Sequence, residues 1–207
     1  MIKKRSCVID IESNDFTENL LDFSSFPYKF LPKAELWCVV IRDLDTGEEW
    51  CAEGKEITKE WMKTTLEPFY YIIAHNGIKF DFPQLMLFGV LDYRVGYLDE
   101  PDTCFGRECR WLDSLILSRL ANPDRGGHSL AIWGRRVGEY KDEYRQQCIE
   151  AGYIDKDDPD GQEFKAYNPL MLPYCKQDCK TNAKVFKAIM KEFMAVSYTH
   201  LTLPTKA

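Results

Sequence analysis

The sequence predicts an α/β domain, a mixed sheet flanked by helices. Two features carry that expectation. Short β-branched and aromatic runs dominate the first half and are joined early by hairpin-like links. Beyond them, strand alternates with apolar patterns of helical period. At 207 residues the chain has room for one domain with a sizeable core, and no internal repeat or low-complexity tract interrupts it.

Ser6 to Glu12 contains Val8, Ile9 and Ile11, a β-branched run that reads as a strand buried on both faces. Ser13 to Lys33 is polar and aromatic with Pro27 and Pro32, a loop or short-helix connection. Glu35 to Asp43 reads as a strand, Asp45-Thr46-Gly47 as a turn, and Glu48 to Ala52 as the returning strand of a hairpin. Ile57 to Leu66 is a short amphipathic helix, and Phe69 to Ala74 a second buried strand. Phe80 to Phe88 has helical spacing, with Asp81 in its first turn. Residues 93 to 110 read as irregular. Trp111 to Ser114 leads into a helix from Leu115 to Leu120, capped by Asp113 or Ser114. Ser129 opens a helix containing Trp133, and Tyr140 to Ala151 forms another. Asp155 to Gly161 is an acidic loop. Asn168-Pro169 starts a last helix, which Pro173 should bend or restart and which runs to about Met194.

Composition narrows the classes. Hydrophobic residues make up 45% and charged residues 29%, ordinary for a soluble globular protein, and no apolar run approaches the ~20 residues of a membrane span. The basic start Met1 to Arg5 is followed by a stretch broken at Asp10 and Glu12, so it is not read as a signal peptide. Eight cysteines include no Cys-x-x-Cys pair, which argues for reduced thiols in a cytoplasmic protein rather than a zinc site. A net charge of -6 argues against salt-driven coating of DNA, though not against basic residues gathered at one groove. From Val196 to Thr205 the helical pattern gives way to a Thr-rich string that reads as translated sequencing-library adapter. The domain is therefore taken as 1–195, and 196–207 as non-native.

The chemistry begins at Asp10 and Glu12. Two residues apart on a strand, they share one face. Like charges on a buried strand repel and resist desolvation, and a divalent cation offsets both effects. The ordinary alternative is that they mark the strand's exit. Asp178 lies on the inward face of the last helix with Cys175, Cys179, Val185 and Phe186, and Tyr174 stands one turn before it. A satisfied Asp–Tyr hydrogen bond in the core is the alternative there. Asp81 follows the strand ending at Ala74, where a helix dipole alone could favour it. Four carboxylates from three elements nevertheless suit a two-metal site, whose ions lie ~3.5–4 Å apart and clamp the oxygens of a phosphoryl displacement.

Asp10-Ile11-Glu12, Asn76-(x)3-Phe80-Asp81 and Tyr174-(x)3-Asp178 resemble, in order and spacing, the three motifs of the DEDD-superfamily 3′–5′ exonucleases of the tyrosine subgroup. Ala74 to Asp81, Leu117 to Leu120, His128 to Glu139 and Lys141-x-Glu143-Tyr144 are most similar to the N-terminal proofreading domain of podophage family A DNA polymerases. The resemblance implies a ribonuclease H-like, mixed five-stranded sheet and two Mg²⁺ or Mn²⁺ ions held by Asp10, Glu12, Asp81 and Asp178. It further implies a water-orienting Tyr174, and a 3′ end of single-stranded DNA contacted by Asn76, Phe80 and Phe16. A C-terminal polymerase domain beyond the residues given is implied as partner, in a phage-infected or bacterial cytoplasm. Arg119, Arg125, Arg135, Arg136 and Lys141 are candidates to line a backbone path, with a solvated helix face as the plainer reading for most. Asp113 is assigned to capping. A ribonuclease D-like RNA-trimming enzyme and a catalytically silent binding scaffold remain as alternatives.

Overall fold

The computed structural model describes residues 4–22, 24, 29–97, 99–139 and 143–201, the last six as backbone only. In chain order the strands and helices are β1 (Ser6–Ser13), α1 (Thr17–Leu20), β2 (Leu21–Asp22), β3 (Lys29–Phe30), β4 (Leu36–Asp43), β5 (Glu49–Glu53), α2 (Lys59–Leu66) and β6 (Tyr71–Ala74). Then come α3 (Asp81–Leu87), β7 (Tyr93–Arg94), β8 (Thr103–Cys104), β9 (Arg107–Glu108), β10 (Arg110–Asp113), α4 (Ser114–Ala121), α5 (Leu130–Val137), α6 (Tyr144–Glu150) and α7 (Met171–Leu201).

The main sheet has five strands in the order β10-β6-β1-β4-β5. It is mixed: β1 runs antiparallel to β4 and parallel to β6, and β6 runs parallel to β10. β1 is therefore an interior strand, and its alternation sorts the core. Cys7, Ile9 and Ile11 join Val39, Ile41, Ile72 and the residues of α2 and α3 on one side. Val8 joins Val40, Ile73 and the α7 thiols Cys175 and Cys179 on the other. Complete burial of Ile9 contributes about 1.5–3 kcal/mol. A third cluster of Leu130, Trp133, Val185 and Ile189 seats α5 against α7.

Several element ends follow from local chemistry. Asp43 accepts from the N–H groups of Asp45 and Thr46, and Gly47 supplies the positive φ of the β4–β5 turn. Thr58 accepts from the N–H of Trp61 at the start of α2, and Ser129 from that of Ile132 at the start of α5. Asn168 accepts from the N–H of Leu170 just ahead of α7.

The expected α/β architecture and five-stranded sheet are observed, with four differences. Residues 93–110 are not irregular, since β7, β8 and β9 form a small antiparallel sheet. Its tight turn is Phe105-Gly106, both at positive φ, and an aromatic in that position gives no sequence signal. Arg110–Asp113 is the fifth strand rather than a lead into α4; four residues are too few for a period to declare itself. Pro173 neither bends nor restarts α7, because the helix begins at Met171 and proline in a first turn displaces no needed donor. Finally, the α7 backbone continues to Leu201 instead of ending near Met194, since a helix end off the core needs no apolar face. Residues 202–207, Lys141, Pro27 and the start of the helix expected at Tyr140 lie outside the described residues.

Candidate active site

β1 sets the first two carboxylates. The parity that sends Val8 to the α7 side sends Asp10 and Glu12 there too. Glu12 is 7% exposed and sits beside a break in the β1–β4 register between Glu12 and Ser13. Carboxylate oxygens of Asp10 and Glu12 and the Cys175 sulfur lie within 4.8 Å of one another. Asp81 is brought to the same strand from the opposite face. Its Oδ1 accepts the N–H of Ile11 at 3.2 Å, between the two acidic residues. Asp178, buried, arrives from α7. That helix is fixed to the sheet by its thiols: Cys175 donates to the Asp10 carbonyl at 3.4 Å and Cys179 to that of Val40 at 3.4 Å.

Electrostatics bear the marks of this crowding. Burial pushes the Asp81 carboxyl up to about 8; its own N–H and that of Ile11 pull it down, while the charges of Asp113 and Asp178 push it further up. Burial likewise raises the Tyr174 phenol far above its usual range, followed by the charges of Asp178, Glu12 and Asp10 and the hydrogen bond to Asp178. Tyr174 therefore keeps its proton. Burial also keeps the Cys175 thiol protonated, with the Asp10 charge among the further causes, so its sulfur is a packing group and a poor ligand. What remains is a donor set of carboxylate oxygens, which suits hard divalent cations. A dication among them would reverse the repulsion that raises Asp81.

Beside Glu12 opens a cavity of about 520 Å³. Phe16 and Phe80 line it with ring centroids 6.2 Å apart, edge to face, and Phe16 is 63% exposed. Phe164 and Lys165 also line it, and Lys165 pairs with Asp15 from the β1–α1 link. The structure thus brings Glu12, Phe16 and Phe80 to one space. Asn76 faces a different one, a second cavity lined also by His75, Lys79 and Arg119.

The basic residues disperse. Arg119 lines the second cavity. Arg125 is paired with Glu192 and stacked 4.3 Å from the Trp133 ring. Arg136 donates to the Gly127 carbonyl, and Arg135 is exposed.

Sequence reasoning missed three supports of the site. Asp113 does cap α4, accepting from the N–H groups of Leu115 and Ile116. It also accepts from those of Asn76 and Ile78, at 3.0 and 3.2 Å, and so holds the loop that presents Asn76 at φ 65. Within that loop, a Cβ on Gly77 would stand 2.4 Å from the Ala74 Cβ and 2.9 Å from the Phe82 ring, so only glycine fits. Tyr144 stacks on Tyr174 with centroids 4.5 Å apart, and its hydroxyl accepts from Asn168 at 2.8 Å. The first and third contacts span more than 25 residues, beyond any local pattern.

No protein-family model matches the chain. The DNA-directed DNA polymerase of Enterobacteria phage T3 is 25% identical over 214 aligned residues, and that of Escherichia phage T7 is 26% identical over 212. Each match covers 91% of this chain but only 26% of the polymerase, so the chain spans about a quarter of these relatives. In fold, it matches the family B DNA polymerase of the archaeon Pyrobaculum calidifontis, with TM-score 0.56, 15% identity, and coverage of 91% of this chain and 25% of that one. It also matches a nuclease in its apo form, with TM-score 0.51, 16% identity, and coverage of 90% and 74%. The sheet order and these neighbours make the fold ribonuclease H-like. By sequence and by fold together, the chain is similar to the exonuclease-like part of a phage-type DNA polymerase.

Proposed function

We propose that this chain is a metal-dependent 3′–5′ exonuclease acting on DNA ends, the proofreading part of a phage-type polymerase working in the cytoplasm of an infected or bacterial cell. The observation that carries the reading is the convergence of Asp10, Glu12, Asp81 and Asp178 with a protonated Tyr174 beside an aromatic-lined cavity.

In this reading Asp10, Glu12, Asp81 and Asp178 would hold two Mg²⁺ or Mn²⁺ ions. When bound, such ions make a water more acidic and stabilise charge on the departing 3′ oxygen. Tyr174, kept protonated by burial and stacked against Tyr144, orients the attacking water by hydrogen bonding. Phe16 and Phe80 stack on the terminal base, a contact that tolerates any base. Asn76 contacts the nucleotide from the loop that Asp113 holds.

The test uses the purified chain with 5′-labelled single-stranded DNA and matching RNA, with Mg²⁺, with chelator, and with Asp10→Ala/Glu12→Ala. A metal-dependent ladder shortening from the DNA 3′ end, absent in the double variant, is the expected result. Faster trimming of RNA would replace the reading with a ribonuclease D-like one. No cleavage by a folded, metal-binding protein would leave a scaffold.

A further inference from the structure

The second cavity, about 770 Å³, has a cationic lining in a protein of net charge -6. Lys79 and Arg119 line it, both exposed, with His75 and His128, and among the described residues no carboxylate lines it. From these we infer that the cavity is a phosphodiester subsite, holding one or two internucleotide phosphates of the strand whose 3′ end lies at the carboxylates. This rests on the exonuclease reading and extends it to how the rest of the strand is held.

Both histidines are anchored by serines one turn apart on α4. The Ser114 hydroxyl donates to Asn182 Oδ1 at 2.6 Å, so at 2.9 Å it accepts the Nδ1–H of His75. Ser118 Oγ accepts the indole N–H of Trp133 at 2.7 Å and is hydrogen-bonded to His128 Nδ1, also at 2.7 Å. Ser129 and Leu130, at the start of α5, complete the wall and add the positive end of a helix. Lys79 lies 3.8 Å from Glu18, with both side chains more than half exposed, a pair loose enough to yield to phosphate. Asn76 lines the cavity from the same loop that leads, five residues on, to Asp81, which joins this space to the carboxylate cluster.

The experiment measures kcat/KM on single-stranded oligothymidylates of two to eight nucleotides, and fluorescence anisotropy of labelled octamer in Ca²⁺ across a salt series. The wild-type chain is compared with Arg119→Glu, Arg119→Ala/His128→Ala and His128→Gln, and circular-dichroism melting confirms that each is folded. For Arg119→Ala/His128→Ala, the expected loss grows with length to about tenfold on the octamer and lies in KM, and the salt slope of binding falls by about 0.7 per cationic contact removed. His128→Gln, whose amide can still donate a hydrogen bond, should recover most of the His128 share. A length dependence and salt slope unchanged in Arg119→Glu would overturn the assignment. Displacement of the octamer by thymidine monophosphate as effective as by tetranucleotide would overturn it too, in favour of a product-phosphate site. If the wild-type chain cleaves nothing, the exonuclease reading fails, and the anisotropy arm alone still decides whether this cavity binds the strand.

Discussion

Asp113→Asn is the substitution that most directly tests how the site is held. Oδ1 accepts from the N–H groups of Asn76, Leu115 and Ile116, and Oδ2 from that of Ile78. Asparagine keeps an oxygen for the first three but turns an NH₂ group toward the Ile78 N–H, donor against donor. Losing one hydrogen bond to a charged acceptor costs about 1.5–3 kcal/mol, and weakening the other three from charged to neutral adds about 1 kcal/mol. Removing the Asp113 charge returns part of this, because that charge is one of those pushing Asp81 up. A net loss of about 3 kcal/mol is expected by urea unfolding at pH 7. The two functions of Asp113 separate in the kinetics. The α4 cap bears on stability alone, whereas release of the Asn76–Ile78 loop should raise KM for short oligonucleotides. A variant within about 0.5 kcal/mol of wild type, with KM unchanged, would refute the claim that this carboxylate organises the loop.

Three further outcomes are expected. Without a divalent ion, Asp81 resists ionisation up to about pH 8, so its folded-state pKa lies above the ordinary 3.8 and its contribution to stability falls as pH rises between those values. Mg²⁺ or Mn²⁺ should therefore raise the melting temperature more at pH 8 than at pH 6, and equal shifts at both would count against Asp81 as a ligand. Glu139 is held down to about 2, first by Lys184 and then by Lys180 and Gln177. Its stabilisation is present above the ordinary 4.5 and lost as pH falls toward 2. Since the lysines are nearly half exposed, Glu139→Gln should cost only about 1–2 kcal/mol at pH 7. The same cost at pH 2 would contradict that account. Gly77→Ala forces apart Ala74, Phe82 and the Asn76 loop and should cost about 2–4 kcal/mol with a larger fall in cleavage than in octamer binding. Wild-type activity in that variant would show the loop to be more accommodating than its packing indicates.

Strands that bury both faces, amphipathic helices and the carboxylates are legible in the residue order, because they are written in periods of two and 3.6 that a short window contains. Asp10 and Glu12 share a face by parity alone, and Tyr174 and Asp178 are neighbours by one helical turn. The rest comes from packing in three dimensions. Arg110–Asp113 became a strand because β6 offered it a partner, not because four residues demanded it. Asp81 came to Ile11 across 70 residues, Asp113 to Asn76 across 37, and Tyr144 to Tyr174 across 30. Likewise Arg119 and His128 met around one cavity, while Arg125 turned away to Glu192. These contacts depend on which faces of the sheet the helices cover, a choice made by burying the whole core at once and one that no local period records.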